Sequence, residues 1–134
     1  MSIRPFGSSG SAYQAGVCNI DSREVARRRR FGIAGVAGAV LLALVLLAAG
    51  VPPIARALVL LPLWGGLVSL EQARRRFCVA FGYAGLRSAE GSDRTEAVGD
   101  PADIAADRAT ARRMVAYCGA IAAAITACLV SLPA

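Results

Sequence analysis

The run Phe31 to Gly50, FGIAGVAGAVLLALVLLAAG, is twenty residues long and carries no charge. Wound as a helix rising 1.5 Å per residue, it matches the ~30 Å hydrocarbon core of a bilayer. Two more apolar blocks follow. Val51 to Leu70 is interrupted by Pro52, Pro53, Arg56 and Pro62, and Met114 to Leu132 is nineteen uncharged residues rich in alanine. The expected fold class is an all-α membrane protein with three transmembrane helices, an antiparallel hairpin followed by a longer third helix. Composition agrees: the 134 residues are 56% hydrophobic and 18% charged, against about 45–50% and about 25% in ordinary soluble domains.

The helix ends are marked locally. Asp21 with Glu24 three residues later resembles a capping box, and Ile20 with Val25 supplies the apolar staple across it, so helix one is expected to begin near Ser22. Gly50 can end that helix and Pro52-Pro53 can begin the next, which makes the connection tight. Arg56 stands near the start of the second block, where a long side chain can snorkel to the interface. Asp100 is a good N-cap, Pro101 suits the first helical position, and Asp103 lies in the first turn. Ser88 to Gly99 is polar and small, and is expected to be a flexible loop. The chain then divides into a tail (1–21), a transmembrane hairpin with an interfacial segment (22–86), a loop (87–100) and a long helix including the third span (101–134).

Arginine placement sets an expected orientation. All fifteen basic residues are arginine, against nine acids, for a net charge of +6. Arg23 and Arg27 to Arg30 precede helix one, Arg74 to Arg76 follow helix two, and Arg108, Arg112 and Arg113 precede helix three; only Arg56 lies on the other side. The positive-inside rule places the N-terminus and the 71–113 segment in the cytoplasm and the C-terminus outside, in a bacterial cytoplasmic (inner) membrane. Ala48-Ala49-Gly50 resembles a signal cleavage site, but the preceding polar region is thirty residues long and the apolar run exceeds an h-region.

Several chemistries are absent from the residue inventory. Without histidine there is no histidine-ligated haem or zinc, no Ser-His-Asp triad and no imidazole proton shuttle. All nine acids lie outside the apolar blocks, so an ion pathway has no carboxylate within the membrane. No phosphate loop, nucleophile elbow or kinase signature occurs. The basic clusters abut apolar blocks without aromatic interleaving, which argues against a nucleic-acid partner. No catalytic residue, metal site or cofactor is expected, and the chain is not expected to be an enzyme.

Three features remain as candidates for function. Gly32, Gly35 and Gly38 on helix one, and Gly119, Ala123 and Ala127 on helix three, recur at close-packing intervals that let helix backbones approach in lipid. They suit packing within the chain or docking of another membrane protein. Cys18 and Cys78 flank the hairpin on the expected cytoplasmic side, where the hairpin could bring them together as a thiol pair beside arginines that favour thiolate. Finally, Arg27 to Arg30, Arg74 to Arg76, Phe77 and Phe81 form a basic and aromatic surface suited to contact with lipid or a partner complex. The expected role is that of a non-catalytic accessory or structural subunit among other membrane proteins, with persulfide or redox chemistry at the thiol pair as the alternative.

Cys18-Asn-Ile-Asp-Ser-Arg-Glu-Val-Ala-Arg27, an arginine-rich helix start, a glycine-containing span and a second span ending near Arg76-Phe-Cys-Val-Ala-Phe-Gly82 make up a recognisable skeleton. It resembles small bacterial inner-membrane proteins of unknown function, similar to the two-helix membrane domain attached to membrane-bound rhodaneses. The resemblance covers about residues 18–86. It implies a hairpin fold and sulfur-related biology, and transfers no catalytic residue, since the rhodanese cysteine belongs to a separate soluble domain. This chain departs from it in carrying Val79 where a proline often follows the hairpin cysteine, and in adding a third helix.

Overall fold

A computed structural model describes residues 13–20, 22–88 and 95–133. The proposed capping residue Asp21, most of the N-terminal tail and the centre of the 88–99 loop lie outside the described residues. Helix α1 spans Ser22–Ala48, a 3₁₀ segment Pro53–Val59 leads into α2 (Leu60–Arg75), and α3 is a short helix at Val79–Ala84. Strands β1 (Leu86–Ser88) and β2 (Thr95–Ala97) pair antiparallel, with Arg87 opposite Glu96, before α4 runs over Pro101–Ser131. Three stretches, Arg23–Ala48, Pro53–Arg75 and Pro101–Ser131, are long and apolar enough to cross a membrane. The structure thus supplies three candidate spans, and corrects the loop expectation in part, because the described ends of the 88–99 stretch belong to a small sheet.

The order of contacts along α1 and α2 shows how the hairpin closes. A Cβ at Gly32 would lie 2.6 Å from Leu70, one at Gly35 would lie 2.8 Å from the Cα of Gly66, and Ala39 packs with Val59 and Leu63. Contacts that advance on one helix while receding on the other define an antiparallel pair. At Gly35 and Gly66 the backbones are so close that neither position has room for a side chain, and the gain is van der Waals contact along the whole crossing.

Helix α4 lies antiparallel to α2. The Trp64 indole N–H donates to the carbonyl of Val115 at 3.1 Å, and its ring lies against Gly119, where a Cβ would come within 3.1 Å. Asp100 caps α4 by accepting from the Ala102 N–H at 2.9 Å, with Pro101 in the first turn, as the local sequence predicts.

The opposite end of α4 is closed by Arg56. Its side chain is 1% exposed and donates through Nη1 to the carbonyl oxygens of Leu132 at 2.8 Å and Leu129 at 3.2 Å. This corrects the snorkelling expectation: the guanidinium is turned into the protein, where it bonds carbonyls at the C-terminal end of the helix and complements the negative end of the helix dipole. Every other described charged residue lies at the far end of the bundle, which we term the cap.

Candidate functional site

The cap is built where the chain enters α1 and leaves α2. Helix α2 ends at Arg76, whose left-handed backbone (φ 55°) turns the chain sharply. The turn presents the Arg76 carbonyl to the N–H groups of Asn19 and Ile20, at 3.0 and 3.4 Å. Asn19 then clamps Cys78: its Oδ1 accepts from the Cys78 N–H at 2.6 Å and its Nδ2 donates to the Cys78 carbonyl at 3.2 Å. Gln72 holds the next residue, its Oε1 accepting from the Val79 N–H at 2.9 Å. Cys78 itself is fully buried in a cluster with Ile20, Val25 and Ala73, against which Phe81 packs. Ile20 and Val25 therefore meet as the staple pattern predicts.

The Cys78 sulfur has a charged neighbour. Arg28 Nη2 lies 3.1 Å from Sγ, and the same guanidinium stands 3.8 Å from Glu24. Cys18 belongs to a tight loop in which it and Gln14 bond backbone to backbone in both directions, one residue before the Asn19 clamp. The two thiols thus share the cap layer, with no disulfide at any of the four cysteines. Of the other two, Cys118 is buried in α4 and Cys128 is exposed.

A second polar cluster fixes the N-terminal segment to α4. Asp107, fully buried, accepts from the Tyr13 hydroxyl at 2.7 Å and from the Gly16 N–H at 2.6 Å. Thr110 Oγ1 donates to the Gly16 carbonyl at 2.8 Å, and the Arg87 guanidinium lies 5.2 Å from the Tyr13 ring centroid. Burial first, and then the Asp107 carboxylate, push the Tyr13 phenol above its ordinary range. The sequence offered little signal for this cluster, since Asp107 is one acid among several in a helix-start region.

The basic and aromatic surface is divided by the fold. Phe77 is 0% exposed and packs with Ala111, Met114 and Val79, which corrects its assignment as a lipid or partner contact. Phe81 is half-buried over the Cys78 cluster. Arg74 forms a forked pair with Glu71, Nε to Oε2 at 2.9 Å and Nη2 to Oε1 at 2.6 Å, and Arg75 Nε reaches the same carboxylate at 2.6 Å. Arg76 occupies the helix-ending turn. Arg27 stands 3.7 Å from Glu24 with its guanidinium 5.8 Å from the Phe31 ring centroid, while Arg29 and Arg30 are exposed.

The small residues also separate. Gly32, Gly35 and Gly119 are used in packing within the chain. Gly38 is not, because a Cβ there would meet nothing within 4 Å, and Ala123 and Ala127 are exposed. These last three face outward, apart from the packing between the helices of the chain. Among the described residues no group of three or more Cys, Asp or Glu could hold a metal ion. Comparison with protein-family models, curated proteins and solved structures finds no match.

Proposed function

We propose that the protein is a non-catalytic integral membrane protein that serves as an accessory or structural subunit of a larger membrane assembly. The observation that carries this is the set of small residues left over after α1 and α4 have packed against α2. Gly38 faces open space, and Ala34, Ala37, Ala123 and Ala127 are exposed on the outer faces of α1 and α4. In lipid such faces let a further helix approach closely and gain dispersion contact that lipid tails do not match. The cap carries nearly all the charge, which by the positive-inside rule favours a cytoplasmic cap in a bacterial inner membrane, with the Arg56 end outside. Solubilisation in a mild detergent, followed by native electrophoresis and mass spectrometry, tests this. A reproducible complex with another membrane protein is expected, and a protein that runs alone or only with copies of itself at native abundance would contradict it.

A second reading is favoured by one contact, the 3.1 Å approach of Arg28 to the Cys78 sulfur. Together with the resemblance to rhodanese membrane domains, this supports persulfide or redox chemistry at the cap with Cys18 as the second thiol. Burial of Cys78 opposes it. Alkylation in intact membranes separates the readings: the subunit reading expects Cys78 to react at least about tenfold more slowly than Cys18, as buried thiols are inert. Fast modification of Cys78 that Arg28→Gln suppresses would favour the thiol reading.

A further inference from the structure

A groove of about 430 Å³ runs along the outer seam of α1 and α2, from Arg27 and Arg28 at the cap past Ser69 and Gly65 to Gly35 and Pro62. We infer that this groove is a binding site for an anionic phospholipid, whose phosphate meets the arginines and whose acyl chain lies along the glycine floor. The depth follows from helix geometry: Arg28 to Gly35 on α1 and Ser69 to Pro62 on α2 each cover about 10 Å of axis, roughly a third of the hydrocarbon core. The floor is low because the Gly35 and Gly66 backbones touch, and it stays open because a Cβ at Gly65 would meet nothing within 4 Å.

The head of the groove is chemically distinct from its floor. Arg27 and Arg28 both line the head, with 64% and 27% of their side chains exposed, and share the Glu24 carboxylate at 3.7 and 3.8 Å, which leaves a net positive charge there. A fork of guanidinium N–H groups matches phosphate oxygens, and Arg27 adds a second positive charge at the mouth. These arginines stand immediately before the uncharged run that begins at Phe31, which is headgroup depth for a helix crossing a bilayer. A free phosphate would satisfy the arginines and leave the floor empty. A partner helix would cover the floor without supplying the phosphate that matches the arginines at the head. A diacyl lipid with an anionic headgroup does both.

Native mass spectrometry of the full-length protein, stripped of lipid in detergent and titrated with phosphatidylglycerol or phosphatidylcholine of identical acyl chains, tests the assignment. One phosphatidylglycerol is expected to be retained preferentially, by about fivefold for each arginine engaged. Arg27→Gln is expected to reduce that preference about fivefold. Gly65→Leu, which fills the floor, is expected to abolish retention, whereas Gly38→Leu, equally unobstructed but outside the groove, leaves it unchanged; circular dichroism checks that both variants fold. Equal retention of the two lipids, displacement of phosphatidylglycerol by inorganic phosphate alone, or indistinguishable behaviour of Gly65→Leu and Gly38→Leu would each overturn the proposal.

Discussion

Asn19 and Cys78 stand 59 positions apart in the chain, and the Asn19 side-chain amide bonds to both backbone groups of Cys78, accepting from its N–H at 2.6 Å and donating to its carbonyl at 3.2 Å. One side chain thereby joins the entry to α1 with the exit from α2. It does so in a fully buried place, where no water can substitute for a missing partner.

Asn19→Ala is therefore expected to be among the most damaging single substitutions in the cap. Two buried backbone groups lose their partners, at about 1–3 kcal/mol each. Asn19→Asp keeps the acceptor but sets a buried carboxylate oxygen against the Cys78 carbonyl, so its loss should be at least as large. Thermal unfolding of both variants in detergent micelles, followed by circular dichroism, checks the order.

The Arg56 contacts predict a local effect at the opposite end. Arg56→Ala removes a charge-assisted bond to the Leu129 and Leu132 carbonyls, worth about 1.5–3 kcal/mol, and opens a cavity where a buried side chain was. Hydrogen exchange should accelerate in the last turn of α4 and stay unchanged near Asp100. Arg56→Lys should recover part of the protection, since the ammonium can still reach a carbonyl but on a more flexible stem.

Two glycines three residues apart should respond oppositely. Gly35→Leu drives side-chain atoms into the Gly66 backbone, where even a Cβ would lie only 2.8 Å from Cα, while Gly38→Leu enters open space. The first is expected to separate α1 from α2 and lower the unfolding temperature well beyond the ordinary 1–3 kcal/mol of overpacking. The second should leave the isolated protein's stability within about 0.5 kcal/mol.

The Tyr13–Asp107 pair gives a pH signature. Burial, and then the carboxylate, raise the Tyr13 pKa in the folded state above its ordinary value of about 10. The associated stability is fully present below about pH 10 and is lost as pH rises further, because the unfolded chain releases the proton first. The difference in tyrosinate absorbance between wild type and Tyr13→Phe should show Tyr13 ionising only well above pH 10, and Tyr13→Phe should flatten the fall in stability on the alkaline side.

The three long apolar helices and several of their ends were legible in the sequence, because an uncharged run and an Asp-Pro helix start act locally. The Ile20–Val25 staple and the Asp100 cap belong to the same class. Arg56 was not legible: a lone arginine beside an apolar run has the same appearance whether it snorkels or caps a helix, and the choice depends on where the last turn of α4 arrives. Phe77 and Phe81 share a helical spacing that suggests one surface stripe. They separate because α2 stops at Arg76 and α3 starts at Val79, so the two rings belong to different elements. Asp107 and Tyr13 meet across 94 positions, and no local pattern announces such a pair.

The most direct measurement is the sidedness of the two ends. In a background with both Cys18→Ser and Cys128→Ser, Ala97→Cys reports on the cap and Pro133→Cys on the end beyond α4, both at exposed positions. The account predicts that a membrane-impermeant maleimide modifies Pro133→Cys in intact spheroplasts, and Ala97→Cys only after permeabilisation. Modification of both from one side, or release of the protein from membranes by alkaline carbonate, would contradict a chain crossing three times with its basic cap in the cytoplasm.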